Sequence, residues 1–126
     1  MILIFGGKYQ GKLDYAMDRF GLTESDAFRC REDETVMPTK RKLIYELDKW
    51  VLALVRAEVD IAQAVRRFIA ANTEAVVICN DISCGIVPAD PAAREWREAM
   101  GQAMAELSRG SSEVVRLYCG IPTRLR

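Results

Sequence analysis

Short apolar runs alternate with amphipathic segments along most of this chain. The apolar runs have the length of strands and occupy residues 2–5, 42–47, 74–79 and 113–119. Apolar side chains recur at helical spacing in residues 13–20, 48–72 and 91–109. A further short strand is predicted at residues 27–30. Strands that alternate with helices in this way predict an α/β fold with a mostly parallel sheet.

Turn and cap residues mark the limits of these elements. Residues 90–91 are Asp-Pro, which predicts a capped helix start with proline in the first turn. The segment 48–72 is either one long helix or two helices with a break near Val59. Residues 120–122 are predicted to form a turn, and residues 123–126 a basic tail.

The first predicted strand runs directly into a glycine-rich segment. From Gly6 to Lys12 the spacing is G-x-x-x-x-G-K, a phosphate-binding loop, and a strand before it and a helix after it are the context that this motif requires. Such a loop turns backbone N–H groups toward a phosphate, and the helix N-terminus adds a partial positive charge. The predicted nucleotide-binding residues are Gly6, Gly7, Lys8, Tyr9, Gln10, Gly11, Lys12 and Leu13.

Leu13 stands where this motif normally has Ser or Thr. A hydroxyl at that position would hold Mg²⁺, while Lys12 would reach the β- and γ-phosphates. Because a leucine side chain cannot bind a metal, the sequence favours phosphate binding over efficient Mg²⁺-dependent phosphoryl transfer. The alternative is a glycine-rich turn that joins a buried strand to a surface helix and binds no ligand.

Composition narrows the classes of function. The chain has 126 residues, half of them apolar, which fits one domain with a core. Its formal net charge is zero, so no basic field favours nucleic acid. No apolar segment reaches membrane-spanning length, and residues 2–5 are too short a run for a signal peptide. We therefore expect a cytoplasmic protein that binds neither nucleic acid nor membrane.

The chain has four cysteines and no histidine. Cys79 and Cys119 end apolar runs and are predicted to be buried, whereas Cys84, in a loop with glycine, is predicted to be exposed. Without histidine the chain has no Cys/His zinc site, no histidine general base and no phosphohistidine intermediate.

The predicted topology brings four segments to one edge of the sheet. In parallel sheets, ligands bind beyond the carboxyl ends of the strands. We therefore expect the loop 6–12, the residues after Leu47, the loop 80–88 and the turn at Gly120 to lie on one rim.

The second half of the chain carries residues that resemble a known family. They are Asn80-Asp81, Gly85-Ile86-Val87-Pro88, Ala93-Arg94, Trp96, Arg97 and Cys119-Gly120-Ile121-Pro122, with a Leu125-Arg126 ending. In this order they resemble adenosylcobinamide kinase / adenosylcobinamide-phosphate guanylyltransferase, the bifunctional enzyme of cobalamin biosynthesis. That family also opens with a short strand and a double-glycine phosphate loop, and the resemblance covers most of residues 1–20 and 40–126.

The resemblance implies a P-loop (RecA-like) three-layer fold, with a small, mostly parallel sheet flanked by helices in one nucleotide-binding domain over residues 1–126. It also implies GTP or ATP as the nucleotide, Mg²⁺, phosphoryl transfer to a hydroxyl of cobinamide, and a homo-oligomer. Lys12, Glu46 and Asp81 are the implied catalytic residues, with Glu46 as the Mg²⁺ carboxylate. The register leaves Asp48 as the alternative carboxylate. Without a metal, Glu46 is an ordinary strand residue and Asp48 a helix cap.

The chain also departs from this family. Members carry an extra region with the histidine that becomes guanylylated, and residues 28–39 are too short to hold it. Asp81 replaces a glutamate, Ser83 a glycine and Met104 an asparagine. The histidine-dependent guanylyltransferase reaction is therefore excluded.

Two functions stay open. The chain is either a nucleotide-binding kinase that lacks the second activity, or a non-catalytic scaffold that binds a nucleotide or a partner. In a scaffold, Trp50, Trp96, Met100 and Met104 could face a partner chain, although helical spacing favours ordinary core positions for them. An unrelated small P-loop fold is disfavoured by the match between Asn80 and Pro122.

Overall fold

The computed structural model describes residues 1–8, 10–82 and 90–126. Within these ranges the strands are β1 (Ile2–Gly6), β2 (Ala27–Arg29), β3 (Leu43–Tyr45), β4 (Val76–Asn80), β5 (Glu113–Tyr118) and β6 (Ile121–Arg124). The helices are α1 (Lys12–Phe20), α2 (Leu47–Arg56), α3 (Ile61–Ala71) and α4 (Pro91–Gly110), and one turn of 3₁₀ helix, Glu24–Asp26, precedes β2. None of the helices in these ranges combines the length and the apolar character that a membrane crossing needs.

The strands form one sheet in the order β2-β3-β4-β1-β5-β6. The first five strands of that order pair in parallel, and β6 runs antiparallel to β5 at the edge. Ile4 of β1 lies opposite Ile78 of β4 and Val115 of β5, so the middle of the sheet is apolar. Runs of this kind are typical of parallel strands that are covered on both faces. The predicted α/β fold with a mostly parallel sheet is confirmed.

Alternate residues of the strands divide the core into two layers. Leu3 and Val77 pack with α2, α3 and α4 on one face, whereas Ile4 and Ile78 pack with Ala16 of α1 on the other. The described residues therefore form a three-layer α/β structure, with one of their helices on one face of the sheet and three on the other.

Of the two alternatives for residues 48–72, one long helix or two with a break near Val59, the structure has two helices. Residues 57–60 separate α2 from α3, and the Asp60 carboxylate caps α3 by accepting a hydrogen bond of 3.1 Å from the Gln63 N–H. The strand predicted at 42–47 is shorter than expected, since Glu46 adopts a left-handed φ of 56° and Leu47 begins α2. That backbone conformation ends the extended chain.

Three predictions near the C-terminus were wrong. Ile121 and Pro122 of the predicted turn, and Thr123 and Arg124 of the predicted tail, belong to β6, which pairs with β5 through Tyr118 opposite Ile121 and Arg116 opposite Thr123. Cys119, predicted to be buried, is exposed and lies with a φ of 50° in the turn between β5 and β6. Cys79 is buried as predicted, and Cys84 lies outside the described residues.

The two tryptophans belong to the core region of this chain. Trp50 is 3% exposed, and its ring centroid lies 5.1 Å from that of Phe68, while Trp96 is half-buried. Met100 is buried and Met104 packs against the same cluster. A partner-facing role is therefore wrong for Trp50 and Met100, which the chain's own core encloses.

Candidate functional site

A cleft of about 510 Å³ lies at the carboxyl edge of the sheet, where α1 meets the loop that is predicted to bind phosphate (residues 6–12, called the phosphate loop below). Three of the strands that form this edge, β2, β3 and β4, contribute residues to it, as expected for a parallel sheet. Its lining includes Lys8, Gln10, Gly11, Lys12 and Leu13 from the loop and α1, together with Arg29, Tyr45, Glu46, Lys49 and Asn80.

Both end glycines of the motif occupy positions that disfavour other residues. A Cβ on Gly6 would lie 2.3 Å from the carbonyl oxygen of Leu117, because β1 and β5 approach closely there. Gly11, immediately before α1, has a left-handed φ of 80° that glycine adopts without steric cost. Tyr9 lies outside the described residues. The backbone therefore favours glycine at both of these positions.

Lys12 is the first residue of α1 and is only 6% exposed. Its Nζ donates a hydrogen bond of 2.5 Å to the carbonyl oxygen of Gly7, so the amine lies against the loop. Burial lowers the pKa of Lys12, and the negative charge of Asp48 opposes this shift. The loop therefore holds a buried cation whose charge favours an incoming anion.

The N-terminus of α1 adds to the positive potential of this cleft. The first N–H groups of an α-helix have no partner within the helix, and they carry the positive end of its dipole. Asp14, in the same first turn, is exposed and partly offsets this potential. Leu13 is half-buried among the apolar residues beneath α1 and lines the cleft without offering a polar atom.

Glu46 reaches the cleft, as the family resemblance implies, but its charge is paired. It immediately precedes α2, and its Oε2 accepts a hydrogen bond of 2.8 Å from Nε of Arg29, the last residue of β2. The side chain of Glu46 is 27% exposed and that of Arg29 is 66% exposed. The two therefore form an ion pair that solvent reaches at the mouth of the cleft.

Asp48 does not cap α2, so the predicted helix cap was wrong. It is the second residue of α2, fully buried, and its carboxylate accepts hydrogen bonds from the backbone N–H (3.2 Å) and the side-chain amide (3.5 Å) of Asn80. Its carbonyl oxygen accepts a 3.0 Å bond from the indole of Trp96. Asp48 thus joins α2, β4 and α4 and places a negative charge behind Lys12.

The backbone of Asp81 contacts the first residue of the phosphate loop. Its N–H donates a 2.8 Å hydrogen bond to the carbonyl oxygen of Gly6, which extends the pairing of β4 with β1 by one residue. The side chain is half-buried and does not belong to the described lining of the cleft. Ser83 and the rest of the predicted loop up to residue 89 lie outside the described residues.

Several residues of this site were not predicted from the sequence. Arg29, Tyr45 and Lys49 line the cleft, and the signal for the first two was their position at the carboxyl ends of β2 and β3. Gln10 was predicted as a nucleotide-binding residue, but its hydrogen-bond partner was not predicted. Its Oε1 accepts a hydrogen bond from the backbone N–H of Cys119, which fastens the phosphate loop to the β5–β6 turn.

The described residues do not fit a magnesium ion held by the protein. In residues 1–8, 10–82 and 90–126 no group of three or more His, Cys, Asp or Glu side chains is placed to share a metal. Leu13 offers no oxygen, and the carboxylate of Glu46 is already bound to Arg29. Besides the exposed Asp14, the described lining gives a metal one carboxylate that Arg29 partly neutralises, so most of the six oxygen ligands of Mg²⁺ would have to come from water and nucleotide phosphates.

Comparison with protein families matches residues 33–125 to the family described as cobinamide kinase / cobinamide phosphate guanyltransferase. The match begins after the phosphate loop and α1, so the assignment of that loop depends on its motif and its geometry. No curated protein matches this chain.

Proposed function

Because the chain belongs to the cobinamide kinase / cobinamide phosphate guanyltransferase family, we propose that it binds GTP or ATP and phosphorylates a hydroxyl of cobinamide. The phosphate loop of residues 6–13 would hold the nucleotide. The observation that carries this proposal is the buried amine of Lys12 within that loop, at the start of α1. The cleft around it is lined by four cationic side chains and two carboxylates, so it favours an anion.

Each of the three predicted catalytic residues has a proposed part in phosphoryl transfer. This reaction depends mainly on the positions of the reacting groups and on electrostatics. The Nζ of Lys12 exchanges the Gly7 carbonyl for a phosphate oxygen and neutralises charge that develops in the transition state. Glu46 accepts the proton of the hydroxyl. Asp81 acts through its backbone bond to Gly6, which fixes the end of β1 where the loop begins.

The proposed activity is a single one. The chain has no histidine, so the histidine-dependent route to a guanylylated intermediate lacks its nucleophile. A homo-oligomer is a further proposal that comes from the family resemblance.

A second candidate function is supported by specific observations. Leu13 removes the hydroxyl of the motif, and the Arg29–Glu46 ion pair occupies the carboxylate that the family resemblance assigns to Mg²⁺. A protein that binds the nucleotide without transferring its phosphate, as a scaffold, would tolerate both features.

The experiment that separates these functions is a transfer assay. The protein is incubated with cobinamide and GTP or ATP, and cobinamide phosphate is measured by mass spectrometry. We expect product from the wild-type chain and a loss of about a hundredfold or more in Lys12→Met, since a positioned charge is removed from the transferred phosphate. Lys40→Met, outside the cleft, is the matched control and should retain full activity. Nucleotide binding without any product would favour the scaffold.

A further inference from the structure

A cavity of about 330 Å³ lies between α2, α3 and the connection that precedes β3, and it is called the α2–α3 cavity below. It shares no described lining residue with the cleft at the carboxyl edge of the sheet. Its volume falls in the range of pockets that bind small molecules. Four of its described lining residues are between 2% and 4% exposed, namely Trp50, Leu54, Phe68 and Asn72. The α2–α3 cavity therefore has a buried floor, and the proposed function does not use it.

The side-chain amide of Asn72, which follows the last residue of α3, is only half satisfied. Its Nδ2 donates a hydrogen bond of 3.0 Å to the carbonyl oxygen of Phe68. Its Oδ1 is the one buried side-chain oxygen or nitrogen of the described residues that has no hydrogen-bond partner among them. Exchanging the two amide atoms would not satisfy it, because Oδ1 would then meet the Phe68 carbonyl oxygen. A buried acceptor without a donor is unfavourable, so a ligand with an N–H or O–H group gains a hydrogen bond here.

The buried walls next to Asn72 are apolar. The ring centroids of Trp50 and Phe68 lie 5.1 Å apart, and Leu54 packs in the same cluster. The indole N–H of Trp50 already donates a 2.9 Å hydrogen bond to the carbonyl oxygen of Thr35. Trp50 therefore offers a ligand its ring and no free donor. An aromatic group of a ligand can pack against these rings.

The exposed part of the α2–α3 cavity carries a positive charge. Arg67 is exposed and is the one charged side chain of the described lining. No carboxylate of the described residues forms an ion pair with Arg67, whereas its neighbour Arg66 binds Glu106 at 3.1 Å. The guanidinium of Arg67 can therefore bind an anionic group at the mouth of the cavity.

We propose that the α2–α3 cavity binds a small aromatic carboxylic acid that carries a hydroxyl or N–H group. The hydroxyl or N–H group donates to Oδ1 of Asn72, the ring packs against Trp50 and Phe68, and the carboxylate meets Arg67. This site is separate from the nucleotide cleft, so the proposal holds whether or not the chain transfers a phosphate.

Three probes that differ by one group test the parts of this site. Para-hydroxyphenylacetate has the donor, the ring and the carboxylate. Para-methylphenylacetate replaces the hydroxyl by a methyl group of similar size, and para-cresol keeps the phenol but lacks the carboxylate. Each probe is titrated into the full chain, and binding is followed by chemical-shift changes in NMR spectra of the protein.

We expect wild type to bind para-hydroxyphenylacetate about fivefold or more tightly than para-methylphenylacetate, because only the hydroxyl gives Oδ1 of Asn72 a donor. It should also bind this acid about twofold or more tightly than para-cresol, because only the acid meets Arg67. In Asn72→Leu the two acids should bind within about twofold of each other. In Arg67→Gln the advantage of the acid over para-cresol should be lost, while the control Arg66→Gln keeps it. Each variant thus loses one preference and keeps the other, which a general loss of structure would not produce.

A further pair of variants locates the bound probe. Ala71 is exposed and lines the cavity, so Ala71→Trp fills the cavity from the solvent side. Ala70 is exposed, adjacent in sequence and outside the described lining, so Ala70→Trp is the matched control. We expect Ala71→Trp to weaken binding of para-hydroxyphenylacetate by about tenfold or more, and Ala70→Trp to leave it within about twofold of wild type.

Three results would overturn the proposal. One is no binding of para-hydroxyphenylacetate to wild type at up to about 10 mM, since a ligand of this size with ordinary binding efficiency binds below that concentration. Another is equal affinity of wild type for the hydroxyl and methyl probes. The third is binding that Ala71→Trp retains at the affinity of the Ala70→Trp control.

Discussion

A lysine is seldom as buried as Lys12, which is 6% exposed. Its amine donates a hydrogen bond to the Gly7 carbonyl oxygen. In the proposed function, the burial penalty that lowers its pKa is the cost of holding a cation ready for an anionic ligand. Asp48, fixed by Asn80, reduces that cost without closing the cleft.

The lowered pKa of Lys12 predicts an alkaline limit for nucleotide binding. In the free protein Lys12 loses its proton below its ordinary pKa of 10.5, so ATP affinity should fall as the pH rises through the lowered pKa. Calorimetric ATP titrations at increasing pH would measure this fall. Lys12→Met should bind weakly at every pH, and Lys40→Met should follow the wild-type profile.

The lowered pKa of Lys12 also makes the stability of the protein depend on pH, in the opposite direction to ATP affinity. Between the lowered pKa in the folded protein and the ordinary pKa in the unfolded chain, the unfolded chain binds more protons. The contribution of Lys12 to the free energy of unfolding therefore rises with pH in this window, while ATP affinity falls. Urea unfolding over the same pH range, compared with Lys12→Met, isolates this contribution. Equal pH dependence in the two proteins would contradict the burial of the charged amine.

At the scale of elements, the hydrophobic pattern predicted the strands and helices whose apolar side chains pack in the core. The five parallel strands and α1, α3 and α4 carry apolar residues at strand or helix spacing, and packing enforces those periods. β6 was missed because all four of its residues are exposed, so it has no alternation to detect, and it contains Pro122. The early end of β3 was missed because the left-handed backbone of Glu46 has no signature in a sequence without a glycine there.

The junction of β1 with the phosphate loop gives a prediction about the fold itself. Gly6→Ala should lower the free energy of unfolding by about 2–4 kcal/mol, because the added Cβ meets the Leu117 carbonyl at 2.3 Å and must separate β1 from β5. Gly101→Ala is the control, since Gly101 lies in α4 with open space around its Cβ, and should stabilise by about 0.5–1 kcal/mol. Urea unfolding measures both, and a Gly6→Ala protein as stable as wild type would contradict this close approach.

At the scale of the whole molecule, the sequence predicted which segments lie at the carboxyl edge of the sheet. It did not predict which side chains bind one another there. Parallel topology fixes that the ends of β1, β3 and β4 share one edge, so the sequence placed Lys12 and Glu46 there. The partner of Glu46, Arg29, comes from the short strand β2, which lies next to β3 only in the folded sheet. Asp48 was assigned to a cap because its burial against Asn80 depends on α4 and β4, which follow it in the chain.

The central claim is that residues 6–13 form a working nucleotide site, and titration of GTP and ATP into the protein tests it most directly. The titrations are run with and without Mg²⁺ for wild type, Lys12→Met and the control Lys40→Met. We predict micromolar binding of a nucleotide to wild type and Lys40→Met, and its loss in Lys12→Met, whose folded state is checked by the same urea unfolding. No binding of either nucleotide to wild type, or equal binding to Lys12→Met, would contradict the account.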